Sequence, residues 1–111
     1  MEPINIKATD AFDFLSKKDN SHLIDTRSDI EWNTTGIPDL SSINKETNLI
    51  NWGPILDQSF FEQYKEFLLT KFNQKDSLFF ICRSGSRSLM AAQFAIRFGF
   101  KNSYNVYDGF Y

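Results

Sequence analysis

Leu78, Phe79, Phe80 and Ile81 stand consecutively, without alternation, and end at Cys82, the chain's only cysteine. A strand with one wet face alternates apolar and polar side chains. An unbroken apolar run belongs instead to a strand buried on both faces, as in a parallel sheet covered by helices. The rest of the chain supports that reading. Ile4 and Ile6 suggest a short first strand, and Thr9 reads as the cap of a helix carrying Ala11, Phe12, Phe14 and Leu15. That helix stops near Asn20. His22–Thr26 reads as a second strand ending in the polar group Asp25-Thr26-Arg27. Ser28 and Glu31 form a Ser-x-x-Glu capping box for a short helix that Gly36 and Pro38 stop. Asn48–Trp52 reads as a third strand. Ser59 and Glu62 repeat the capping signature before a helix of about four turns, with Phe60, Phe61, Tyr64, Phe67, Leu68 and Phe72 as its apolar stripe. After the run at 78–81, helical periodicity resumes near Ser88 and ends at Gly99, and Tyr104–Tyr107 makes a last strand before Asp108-Gly109. Strand and helix alternate five times, which argues for an α/β sheet layered between helices.

Composition narrows the function. At 111 residues the sequence fits one domain, 1–111, with a single core. One cysteine excludes an internal disulfide framework and a thiolate zinc cage, and the carboxylates show no metal-ligand grouping. No metal or other cofactor is therefore expected. A net charge of −2 gives no footprint for nucleic acid or an anionic membrane. No apolar stretch approaches the roughly 20 residues that span a bilayer. A free thiol without an export signal points to a reducing, cytoplasmic setting. Twelve Phe read as a core built from aromatic residues, and Trp32 and Trp52 read as packing residues. Abundant Phe, Ile, Asn and Lys with few Ala hint at an AT-rich, bacterial coding sequence.

Chemistry concentrates in Cys82-Arg83-Ser84-Gly85-Ser86-Arg87, which runs from the buried strand straight into a helix. Ligands of open parallel sheets sit beyond the carboxyl ends of strands, where Cys82 stands. Gly85 permits a backbone conformation closed to other residues, and Ser84 and Ser86 are small. The loop can therefore curl its N–H groups inward as an anion nest, with the helix adding its positive end. Arg83 and Arg87 add two cationic side chains. A free thiol has a pKa of about 8.5, and such surroundings lower it by about 2, worth about 2.7 kcal/mol in favour of the thiolate. That is nucleophile activation without a general base. The single histidine, His22, begins a strand at the opposite end of the sheet, which argues against a Cys–His pair.

These residues resemble the single-domain rhodaneses of the sulfurtransferase family. CRSGSRS, residues 82–88, is similar to that family's active-site loop. LIDTRSDIEW, residues 23–32, is similar to its strand ending in Asp-x-Arg with a Glu four residues on, and YNVYDGF, residues 104–110, to its last strand and glycine turn. The resemblance implies a five-stranded parallel sheet with helices on both faces. It also implies a cysteine that attacks the outer sulfur of thiosulfate or a persulfide donor, expels the remainder, and holds the sulfur as a persulfide until a thiol or cyanide removes it. On this sequence Cys82 would be the nucleophile. The amides of Arg83, Ser84, Gly85, Ser86, Arg87 and Ser88 would steady the terminal sulfur, and Arg87, assisted by Arg83, would bind the donor's oxyanion. Asp25, Arg27 and Glu31 would support the loop, Arg27 and Glu31 pairing at i,i+4 spacing. Partners would be a small sulfur donor, a thiol or cyanide acceptor, and a protein that exchanges persulfide sulfur.

Two departures from the family pattern stand out. Gly36-Ile37-Pro38-Asp39-Leu40 lacks the histidine and second glycine usual there. The sequence also ends at Tyr111, where many relatives continue into a final helix, so one flank of the sheet is expected to be less covered. Two other functions compete. Phosphatases and arsenate reductases of this fold separate cysteine and arginine by five residues, whereas four separate Cys82 from Arg87 and position 88 is Ser. The same fold also serves as a non-catalytic binding module, which typically loses the cysteine that this sequence keeps, and a domain that relays sulfur between partner proteins is the weaker version of that alternative.

Overall fold

The computed structural model describes residues 1–110. Five strands, β1 (Ile4–Ile6), β2 (Ser21–Asp25), β3 (Thr47–Leu49), β4 (Ser77–Ile81) and β5 (Ser103–Val106), form one sheet in the order β1-β5-β4-β2-β3, every pair parallel. Helices α1 (Ala8–Lys17), α2 (Asp29–Thr35), α3 (Gln58–Lys71) and α4 (Ser86–Arg97) fill the connections, with a 3-10 turn at Ser41–Ile43. The five-stranded α/β sheet expected from the sequence is present.

β4 is central, and its residues explain their own lack of alternation. Leu78 and Phe80 enter a core with Ile24, Tyr64, Leu68, Ala92 and Ala95, which belongs to the α3/α4 face. Phe79 and Ile81 enter a second core with Ala11, Leu15, Leu23 and Val106 on the α1 face. Residues 78–81 are all apolar because each side of the sheet is covered. Trp52 is buried in the first core, its ring edge-on to Phe60 and Tyr64 at 5.0 and 5.1 Å, so its packing role holds. The α1 face also carries an open apolar groove of about 490 Å³ between α1, Pro38–Leu40 and Phe110.

Topology fixes where a site can form. From β2 the chain moves outward to β3; from β4 it moves the opposite way to β5. The adjacent ends of β2 and β4 are therefore a switch point, where successive connections diverge and leave a crevice. Asp25-Thr26-Arg27 and Cys82 lie there side by side, Thr26 N donating to the Ile81 carbonyl at 2.8 Å.

Three helix starts differ from the sequence reading. Thr9 lies inside α1, and the free N–H of Ala8 is satisfied by Asp108 Oδ1 at 2.9 Å, a cap supplied from 100 residues away. α3 begins earlier than Ser59 because Asp57 accepts from Phe60 N at 2.9 Å. Helix α4 likewise starts at Ser86, with Gly85 as its N-cap, instead of near Ser88. The capping box of Ser28 and Glu31 is present as read.

Candidate active site

Cys82 follows β4 directly and is 1% exposed. Its sulfur faces a ring of polar groups made by the loop that follows and the first turn of α4. Gly85 N lies 3.1 Å from Sγ, Ser88 N 3.4 Å and Ser88 Oγ 3.2 Å. The loop closes this tightly because Gly85 takes φ +99, and because a Cβ there would stand 2.8 Å from the Tyr107 carbonyl oxygen. Gly109 is the matching requirement on the other side: at φ +72 its missing Cβ would collide with the Arg83 carbonyl oxygen. The turn after β5 thereby seats against the loop, and Phe110 N donates to the Cys82 carbonyl at 2.9 Å.

Burial pushes the Cys82 thiol up. The hydrogen bonds that the sulfur makes with the Ser88 side chain and with the N–H groups of Ser88, Gly85 and Ser84 outweigh it, and the pKa falls below its ordinary value. The positive end of α4, a helix of 12 residues, points the same way. The result is a thiolate-stabilising cradle of neutral donors.

The charged residues partition differently from the sequence reading. Arg27 pairs with Asp25, not Glu31. Its Nε and Nη2 donate to the Asp25 carboxylate at 3.0, 3.1 and 2.8 Å, while Nη1 reaches Thr35 Oγ1 and Nη2 the Gly36 carbonyl. The i,i+4 rule fails because Arg27 precedes the N-cap Ser28, so its backbone is outside α2 and the two side chains are not on one helix face. Arg27 also lies over the Phe110 ring, 4.6 Å from its centroid. Both Asp25 and Arg27 are buried, a closed unit that joins β2, α2 and the final turn.

Glu31 turns to Arg87 instead. Arg87 Nη1 and Nη2 bind its two oxygens at 2.6 and 2.9 Å, a bidentate pair from α2 to α4 across the loop. The Arg87 hydrogen bonds hold the Glu31 carboxyl down at about 2, with help from Ser28 and against some burial. Glu31 reciprocally keeps Arg87 protonated. Arg87 is thus committed, at least in its fork, to a carboxylate, whereas Arg83, Ser84 and Ser86 are exposed at the mouth. A crevice of about 180 Å³ lined by Arg27, Glu31, Thr35, Arg83 and Phe110 opens beside the loop. Among the described residues no cluster of His, Cys, Asp or Glu is suited to a metal ion. His22 sits at the other end of the sheet, its Nε2 2.9 Å from Asp76 Oδ2.

One residue at this site escaped the sequence reading. Asn105, in β5 and 3% exposed, presents Oδ1 to Ser88 Oγ at 2.6 Å and Nδ2 to the Gly85 carbonyl at 3.3 Å. A buried Asn in a terminal strand was the available signal, since such a group is kept only where partners satisfy it.

Comparison with known proteins agrees with this geometry. The family model for the rhodanese-like domain matches residues 8–111. An uncharacterized protein of Rickettsia rickettsii, the RP600 homolog, is 40% identical over 106 residues, covering 96% of this chain and 82% of that protein. The crystal structure of Rv0390 from M. tuberculosis superposes with a TM-score of 0.83 at 31% identity, covering 99% of this chain and 81% of the other. The polysulfide-sulfur transferase homodimer of Wolinella succinogenes shares the fold at a TM-score of 0.71 and 24% identity, over 96% of this chain and 69% of that one. With its family model, loop and sheet in agreement, the chain belongs to the rhodanese-like domain family.

Proposed function

We propose that this protein is a sulfurtransferase in which Cys82 carries sulfane sulfur as a persulfide. The observation that supports this most is the cradle itself: a buried sulfur faced by the N–H groups of Gly85 and Ser88 at the start of a helix. The Cys82 thiolate attacks the outer sulfur of a donor; with thiosulfate, the S–S bond of the donor breaks and sulfite leaves with the electron pair. The product is a persulfide whose negative terminal sulfur is steadied by the loop amides. A thiol or cyanide then attacks that terminal sulfur, and the Cys82 thiolate departs ready for the next cycle.

The ion pairs bear on the donor. Because Glu31 holds both terminal nitrogens of Arg87, the donor's charge is met chiefly by the loop amides and by Arg83 at the mouth. A persulfide or polysulfide, with its charge on a terminal sulfur, suits that arrangement as well as thiosulfate does. The transferase from Wolinella is named for polysulfide, which supports including that class. Phosphatase chemistry is disfavoured by Ser88, which stands where that mechanism needs an arginine and whose side chain is buried against Cys82.

A sulfur-relay reading has one observation of its own. Ile30, 73% exposed on α2, and Ile55, 70% exposed after β3, follow the strand ends on the same side of the sheet as Cys82. Such side chains suit a protein acceptor better than cyanide. Steady-state transfer to cyanide tests the catalytic reading. Parallel double-reciprocal lines with thiosulfate or polysulfide are expected, as a covalent intermediate requires. Intersecting lines, or turnover that survives Cys82→Ser, would overturn it.

A further inference from the structure

We propose that Asn105 is a positioning residue that withholds the Ser88 hydroxyl proton from the Cys82 thiolate. The orientation of its carboxamide follows from its neighbours. The Gly85 carbonyl oxygen, 3.3 Å from Nδ2, can only accept, and Asn5 Oδ1 from β1 lies 3.2 Å from the same nitrogen. The amide nitrogen therefore faces these two oxygens, and Oδ1 faces Ser88 Oγ at 2.6 Å. An amide oxygen has no proton, so Ser88 donates to it. A hydroxyl has one proton to give. Cys82 Sγ, 3.2 Å away on the other side, meets a lone pair of Ser88.

That polarity suits one state of the sulfur and not another. A neutral thiol donates to Ser88, and the chain Cys82–Ser88–Asn105 is satisfied throughout. When the thiol proton leaves to solvent, Ser88 has two options. It remains with Asn105 and turns a lone pair to the anion, or it rotates to the sulfur and leaves Asn105 Oδ1 against an unprotonated oxygen at 2.6 Å. Either way the bare thiolate lacks part of its stabilisation. Once sulfur is loaded, Sγ is an uncharged bridging atom and the charge has moved one atom outward. Ser88 then keeps its bond to Asn105 at no cost. Asn105 thus penalises the empty thiolate without penalising the persulfide, which keeps the sulfur nucleophilic and favours loading. This last consequence rests on the sulfurtransferase reading; the hold on the hydroxyl does not.

The charged groups on the elements packed around the sulfur make no hydrogen bond with Asn105. They are Asp25 of β2 with Arg27, Glu31 of α2 with Arg87 of α4, and Arg83 in the loop, while β1 contributes the neutral Asn5. Because Cys82 is the only cysteine, the ultraviolet absorbance of its thiolate titrates this one group once the tyrosine contribution, recorded on Cys82→Ser, is subtracted. Asn105→Leu, nearly equal in volume, removes both polar atoms; Asn105→Ala serves as the smaller variant, and circular dichroism checks the fold of each. Freed from Asn105, the Ser88 hydroxyl donates to the thiolate, and the Cys82 pKa is expected to fall by about 1. Removing the hydroxyl as well, in Ser88→Ala/Asn105→Leu, is expected to reverse that fall, so that the double variant titrates like Ser88→Ala alone. If Asn105 merely holds the Gly85 carbonyl in place, its loss loosens the Gly85 donor and raises the pKa with or without Ser88. That result overturns the proposal. The outcome separates cleanly from the function: variants that titrate as stated in a protein that takes no sulfur would retire the transferase reading and leave the hold of Asn105 standing.

Discussion

Replacing Glu31 by Gln isolates the ion pair that closes the loop. Glu31 Oε1 accepts from Ser28 N at 3.1 Å, Ser28 Oγ at 2.9 Å and Arg87 Nη1 at 2.6 Å, and Oε2 accepts from Arg87 Nη2 at 2.9 Å. Gln keeps the shape and one acceptor for Ser28 but loses the charge and one Arg87 contact. The folded carboxyl sits at about 2 against an ordinary 4.5, chiefly through Arg87. A carboxyl lowered by folding stabilises the protein above its unfolded pKa, and that contribution is lost as the pH falls through the folded value. The whole shift would correspond to about 3 kcal/mol. The Arg87 and Glu31 side chains are 31% and 27% exposed, so solvent screening reduces it to about 1–2 kcal/mol. Urea unfolding at neutral pH should find Glu31→Gln less stable by that amount. The gap should narrow as the pH drops below 4.5 and nearly vanish near 2, because the wild type then carries a neutral carboxyl too. A gap that stays constant over this range would refute the electrostatic origin and assign the loss to packing alone.

Two further changes probe the supports of the site. Arg27→Met leaves the Asp25 carboxylate buried without its partner and should cost about 3–5 kcal/mol in denaturant unfolding, with part recovered by adding Asp25→Asn. Gly109→Ala forces a side chain into the left-handed region and against the Arg83 carbonyl, so about 2–4 kcal/mol of stability and most of the Cys82 reactivity should be lost together. Unchanged alkylation of Cys82 in a folded Gly109→Ala protein would show that the final turn does not shape the loop.

Features that depend on near neighbours in sequence were legible. The unbroken run at 78–81 signalled a central strand, Ser28 and Glu31 signalled the start of α2, and Gly99, with φ +99, ended α4. What was missed depends on chain brought from far away. The cap of α1 is Asp108, set beside Ala8 only because β5 lies next to β1. The choice between Asp57 and Ser59 for α3 turned on two capping residues lying two positions apart. Arg27 and Glu31 have helical spacing, but the helix begins between them, and each then found a partner that spacing alone does not reveal. Asn105 carried no local motif, and its significance came from Ser88 and Gly85, 17 and 20 residues away.

The central claim is that Cys82 holds transferable sulfur. Intact-mass measurement after incubation with thiosulfate, and separately with polysulfide, tests it directly. The wild type should gain one sulfur atom, cyanide should remove it, and Cys82→Ser should gain none. A wild-type protein that takes up no sulfur from either donor, or a Cys82→Ser variant that still does, would contradict the claim.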